Sequence, residues 1–488
     1  MGTEVVAAAA AGNPPDLIPA GGNVCHAVLF PFMSKGHTIP ILHLARLLLR
    51  RQISLTVFTT PANRPFIATS LPAGAAASII ELPFPHDIPE ISAGVESTDK
   101  LPSVDSLFPH FALATERIRP DFESALENLR PRPSFMVSDG FLWWTQDSSA
   151  KFGIPRLVFY GMSNHAGSVS RAAAVDRLLL GSESDDELIS VTQFPGVKVC
   201  KSDFEEWARK PNPEGPHFDF VLKSVAASSR SYGYMMNSFY ELESVFSDHL
   251  NGLGKQRYYS VGPLCLADVD EINGGKEAVL AAKLKPAWIQ WLDEKLAEGK
   301  SVLYVAFGSQ AEISEEQLEE IARGLEDSEV EFLWVKRKGG GGLEERVKGR
   351  GMIVGEWVDQ REILGHASVG GFLSHCGWNS VMESVCAGVA MLAWPMMAEQ
   401  PLNARMVAEE VKVGIRVEGS GRTGFVRRGA LEKAVRELMA GEKGKEVRRN
   451  AKEYAEKAMQ AMEEGSGSSW KTLNLLIDEL CNKATTEN

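Results

Sequence analysis

Five residues in FLSHCGWNSVME, within 372–383, have types and spacing suited to binding chemistry. His375, Gly377, Asn379 and Ser380 stand at the turn between an apolar run and a helical pattern, and Glu383 lies one turn further in. A helix start presents unpaired N–H groups and a partial positive charge. That combination suits a phosphate or diphosphate. The same residues also fit a plain helix cap, because Ser380 and Glu383 make an S-x-x-E capping box. Glu383 is unsuited to phosphate, since like charges repel. A second candidate is His37, in SKGHTIP, just after the first apolar run. A helix starting beside it favours the neutral imidazole that a general base needs.

These groups need elements to hold them. NVCHAVLFPF, SLTVFTT, ASIIELPF, FMVSDGF, RLVFYG, YGYMMNSF and YYSVGPL read as strands separated by helical or loop segments. Thr38-Ile39-Pro40 predicts the start of the first helix. The stretches 83–105 and 180–217 read as long irregular loops. A second series follows from SVLYVAFGS through VEFLWVKR, GMIVGEWV, GGFLSH and AMLAWP, and the chain ends in the amphipathic SWKTLNLLIDEL. This rhythm predicts an α/β chain of two similar halves, each a parallel sheet covered by helices.

Composition narrows the function classes. The 488 residues carry a net charge of −13, against a general nucleic-acid or anionic-membrane binder. No apolar run reaches the length of a membrane helix, and no signal peptide is read at the start. The scattered Cys25, Cys200, Cys265, Cys376, Cys386 and Cys481 lack CxxC spacing. They predict neither a disulfide framework nor a zinc site, and they fit a reducing, cytoplasmic setting. Residues 1–23 read as a disordered tail and 267–285 as an interdomain linker.

The 44 residues 357–400 resemble the signature box of plant family 1 UDP-sugar glycosyltransferases. They match at Trp357, Gln360, Leu364, His366, Gly370, Phe372, His375, Gly377, Asn379, Ser380, Glu383, Gly388, Pro395 and Gln400, and depart at Asp359, Ala390 and Glu399. FPFMSKGHTIP, MMNSFYELE, YSVGPL and YVAFGS are also similar to family segments. The resemblance implies a GT-B fold, two Rossmann-like domains facing across a cleft. Residues 24–266 then bind an acceptor, 286–465 bind the UDP-sugar, and 466–488 cross back onto the first domain.

The resemblance also assigns roles. Ser309, His375, Gly377, Trp378, Asn379 and Ser380 surround the diphosphate. Trp357 stacks on uracil, beside Val358. Gln360 and Glu383 meet the ribose, and Glu399 and Gln400 meet the sugar, with Gln400 implying glucose. His37 is the base and Asp139 holds its other ring nitrogen; His26, His43, His86, His110 and His366 are read as structural or surface. Phe141 and Met162 are candidate acceptor contacts for a flat phenolic such as a flavonoid. The expected activity is inverting glucosyl transfer from UDP-glucose, in a monomer without a metal or other cofactor. O- and C-glycosylation are not separated by these residues. UDP-sugar binding without catalysis is the weaker alternative, given both His37 and Asp139. FMSKGH in place of GxGxxG disfavours a nicotinamide oxidoreductase.

Overall fold

In a computed structural model, residues 25–483 are described apart from 183, 255, 268–284, 337–341, 343–346, 348 and 423. The expected tail 1–23 and nearly all of the expected linker 267–285 lie outside the described residues.

Two sheets carry the fold. The N-terminal sheet has seven parallel strands in the order β3-β2-β1-β4-β5-β8-β9. They are β1 His26–Phe30, β2 Ser54–Thr59, β3 Ala77–Glu81, β4 Phe135–Asp139, β5 Arg156–Tyr160, β8 Gly233–Met236 and β9 Arg257–Ser260. The C-terminal sheet has six parallel strands in the order β12-β11-β10-β13-β14-β15. They are β10 Val302–Ala306, β11 Glu331–Val335, β12 Gly351–Val354, β13 Val369–Ser374, β14 Met391–Ala393 and β15 Gly414–Arg416. The central strands β1, β4 and β10 are buried along their whole length. This is the continuous apolar character of parallel strands covered on both faces.

Each sheet reverses its strand order once, between β1 and β4 and between β10 and β13. Ligands of open α/β sheets bind at such switch points, beyond the carboxyl ends of the strands. His37 follows β1 and Asp139 ends β4; Ser309 follows β10 and His375 follows β13.

Three expectations are corrected. The first helix is Lys35–Arg50, so it starts before Thr38 and contains Pro40. The stretch 180–217 holds an antiparallel hairpin, β6 Ile189–Val191 with β7 Phe194–Val199. Pro195 and Gly196 inside β7 hide its strand signal. Cys25 and Cys481 are joined in a disulfide across 456 residues. Spacing rules cannot anticipate that pairing, because it needs the final helix, Ser468–Lys483, to return to the first strand. Leu473, Leu476 and Leu480 of that helix are buried in the core formed by β1, β2 and the Lys35–Arg50 helix. Arg51 donates to Asn474 Oδ1 at 2.6 Å. No described helix is long and apolar enough to cross a membrane.

Candidate functional site

At the β1/β4 switch point, His37 Nδ1 lies 2.7 Å from Asp139 Oδ2. Asp139 is the last residue of β4 and has no exposed side-chain surface. Its Oδ1 accepts from the Phe141 N–H at 2.9 Å, so both carboxylate oxygens are held. With Nδ1 engaged, Nε2 is the ring nitrogen left for a reacting hydroxyl. Burial pushes the imidazole down, but the Asp139 charge and hydrogen bond, with Glu399 further off, outweigh it. The net shift is upward from 6.5. The helix-start expectation of a more readily neutral ring is therefore reversed by Asp139.

Phe141 packs against His37 with ring centroids 4.7 Å apart. Phe32, Phe108 and Phe220 surround Phe141 at 5.1–5.6 Å. Met162 is half-buried just beyond β5. Its Sδ lies beside Gly167 of the following helix, while a Cβ on neighbouring Gly161 would sit 3.8 Å from the Gly36 carbonyl. Trp143, Trp144 and Phe159 are core residues.

At the β10/β13 switch point, Ala306 pairs with Ser374. Ser309 and His375 thus leave adjacent strand ends. His375 is clasped by two glycines: a Cβ on Gly308 would sit 2.7 Å from its Nε2, and one on Gly377 2.5 Å. Gly308 has φ +78°, and Cys376 in the following turn has φ +62°. Strained backbone of this kind collects at functional sites. Burial pushes His375 down to about 4, so it is neutral at physiological pH.

The helix Trp378–Cys386 starts from Gly377 with no side-chain cap. The S-x-x-E pattern is thus not a capping box. Ser380 Oγ and Glu383 Oε2 both accept from the Gln360 amide, at 2.9 and 2.6 Å. Gln360 Oε1 accepts from the Tyr304 hydroxyl at 3.2 Å. In this state Gln360 orients Glu383 rather than offering a free amide. Burial pushes the Glu383 carboxyl up to about 7.

Trp357 is 58% exposed, so it presents a face to solvent rather than to the core. Val358 is 7% exposed and belongs to the core, leaving its main chain as the only part for a ligand. Asp359, where the family has Pro, caps the helix Gln360–Leu364 by accepting from the Arg361 N–H at 3.0 Å. The departure thus has a local structural use. Ala390 is fully buried ahead of β14.

Glu399 stands at the start of the helix Gln400–Arg405 without a side-chain cap bond, and it accepts from Asn403 Nδ2 at 3.4 Å. Burial pushes its carboxyl up, while His37 and Arg422 pull it back. Glu399 thus lies within electrostatic reach of His37 from the opposite half. Gln400 is buried, and its Oε1 accepts from the N–H groups of Met396 and Met397, both at 2.9 Å. Only its amide nitrogen remains for a ligand. Beside this turn is a cavity of about 220 Å³ lined by Gln310, Trp394, Met396, Met397 and Arg422, with Val104 from the N-terminal half.

The side chains of Trp378 and Asn379, read as lying around the diphosphate, bridge to the N-terminal half, and their partners and the other bridging residues have no role in the sequence reading. Trp378 Nε1 donates to the Asn237 carbonyl at 2.8 Å, and Asn379 Nδ2 to that of Gly36 at 2.5 Å. Gln310 donates to Ser34 and Thr98, and Ser163 to Asn403. Asn237 lies inside MMNSFYELE, so its segment was visible while its use as a staple was not.

Known proteins share this architecture. The profile of the family described as "UDP-glucoronosyl and UDP-glucosyl transferase" matches residues 273–451. UDP-glycosyltransferase 90A1 of Arabidopsis thaliana is 52% identical over 472 residues, covering 93% of this chain and 96% of its own. The scopoletin glucosyltransferase of Nicotiana tabacum is 36% identical, covering 94% and 99%. The crystal structure of Glycyrrhiza uralensis UGT73P12, complexed with glycyrrhetinic acid 3-O-monoglucuronide, superposes with a TM-score of 0.84 at 30% identity, covering 95% and 97%. With two Rossmann-like sheets meeting at their switch points and a relative of this identity along nearly its whole length, the chain belongs to the plant family 1 UDP-glycosyltransferases and transfers a glycosyl group from a UDP-sugar to an acceptor.

Proposed function

We propose that the transferred sugar is glucose, that the acceptor is a hydroxyl of a small flat phenolic, and that His37 is the general base. The observation that carries this reading is the His37–Asp139 pair at 2.7 Å, with the Phe141 ring 4.7 Å from the imidazole. The ring of an acceptor stacks among Phe141 and its aromatic neighbours, bringing a phenolic oxygen to Nε2. Asp139 fixes the tautomer and stabilises the imidazolium as the proton arrives, the division of labour in a His–Asp pair. The oxygen attacks the anomeric carbon from the face opposite UDP, inverting the configuration.

On the donor side, the unpaired N–H groups at the start of the Trp378–Cys386 helix receive the diphosphate. Trp357 stacks on uracil, Glu383 accepts from the ribose, and Glu399 and the Gln400 amide nitrogen meet the sugar hydroxyls. Neutral His375 and the helix start stabilise charge on departing UDP. Relatives named for scopoletin and for flavonoid 3-O-glucosyl transfer support the acceptor class. The test is mass spectrometry of reactions pairing UDP-glucose, UDP-galactose and UDP-xylose with a panel of phenolics. The expected product is an acid-labile glucoside. No turnover of any phenolic, or an acid-resistant product, contradicts the reading.

A further inference from the structure

Glu399 is one methylene longer than the family's aspartate, so the main chain that carries it must be placed accordingly. That main chain is a strained turn. Ala398 has φ +50°, in the left-handed region that side chains rarely occupy. Gln400 Oε1 closes the turn from within by accepting from Met396 and Met397. From outside, Arg422 Nη2 donates to the Ala398 carbonyl, the peptide group immediately before Glu399. Arg422 Nη1 meets Glu205 Oε1 at 3.1 Å. Glu205 belongs to the N-terminal half, so one guanidinium ties the turn to the opposite side of the cleft. Arg422 is only 14% exposed, and it lines the cavity beside the turn.

We infer that Arg422 is a positioning residue for the donor sugar: by holding the Ala398 carbonyl and Glu205 together, it sets where the Glu399 carboxylate meets the sugar hydroxyls. This rests on the reading of Glu399 as a sugar contact. A left-handed Ala398 survives only where its surroundings over-determine it. If the carbonyl were released, the peptide would rotate and swing the Glu399 carboxylate away. A rigid fork with two separated donors can serve both partners at once, which a lysine ammonium on a flexible stem does less well.

The test compares binding of UDP and of UDP-glucose by calorimetry in wild type, Arg422→Gln, Arg422→Lys and Glu399→Gln. Arg422→Gln is expected to leave the Kd for UDP within about twofold and to weaken UDP-glucose about tenfold, the scale of one lost charged hydrogen bond. Arg422→Lys should fall between wild type and Arg422→Gln. Added to Glu399→Gln, Arg422→Gln should cost less than about twofold more, since the two act through one contact. Equal weakening of UDP and UDP-glucose, or additive losses in the double variant, overturns the proposal while leaving the donor site intact. A wild-type protein that binds UDP but not UDP-glucose overturns the underlying donor reading as well. Should Arg422→Gln fold poorly, Glu205→Gln tests the same tie with Arg422 in place. It is expected to weaken UDP-glucose selectively, and an unchanged UDP-glucose Kd counts against the tie.

Discussion

Pro40 leaves the Gly36 carbonyl without its helical donor, and Asn379 takes it. Proline has no N–H, so the bond from residue 40 back to residue 36 cannot form. The Asn379 amide reaches that carbonyl at 2.5 Å across 343 residues of sequence. A helix imperfection one residue before His37 thus becomes a bridge between the two halves. Asn379→Ala is expected to raise the KM for UDP-sugar by about three- to tenfold, the range for one hydrogen bond. Pro40→Ala, which restores the helical donor, should raise it in the same direction but less. Initial-rate kinetics with the donor varied check both.

The upward shift of His37 has a sign that can be measured. A general base works as the neutral ring, so the rate rises with pH through its pKa. Asp139 holds that value above 6.5, and the acid limb of kcat/KM should therefore fall above pH 6.5. In Asp139→Asn the burial remains and the compensating charge is gone. The limb should move below that of wild type, with kcat reduced at every pH. A limb that does not move separates Asp139 from the titration.

Glu383 is buried at a cost in stability that depends on pH. Its folded value of about 7 exceeds the ordinary 4.5. The stability it contributes is full below the ordinary carboxylate range and is lost as pH rises through 7. Glu383→Gln should therefore melt about 1–3 °C higher than wild type at pH 8, with no gain at pH 4. The same substitution should weaken UDP and remove the rise in UDP affinity expected between pH 6 and 8. Thermal melts and UDP titrations at both ends of the range check this.

Phe141 is held by aromatic neighbours on several sides. Phe141→Ala should raise the acceptor KM by about tenfold or more, the scale of a lost aromatic contact, with UDP affinity unchanged. A matched change in both affinities would place Phe141 in general packing.

The sequence was most legible where the chemistry is local. The turn of His375 and Gly377 into its helix can be read because a helix start is a short-range feature. The two sheets could be read because parallel buried strands are continuous apolar runs. Long-range partners were not legible. The Cys25–Cys481 disulfide, the Asn237 carbonyl under Trp378 and the Arg422 tie to Ala398 each depend on how distant elements dock. Gln360 shows a subtler limit. Its amide suited a ligand on chemistry alone, yet a neighbouring helix places Ser380 and Glu383 close enough to engage it. The direction of the His37 shift is not legible in the sequence, because it depends on how closely Asp139 docks against a buried ring.

His37→Ala tests the central claim most directly, by single-turnover rates with UDP-glucose and a phenolic acceptor beside a UDP titration. The rate is expected to fall about 10²–10⁴-fold, the worth of a positioned general base, with the Kd for UDP within about twofold of wild type. Full turnover by His37→Ala would contradict the mechanism.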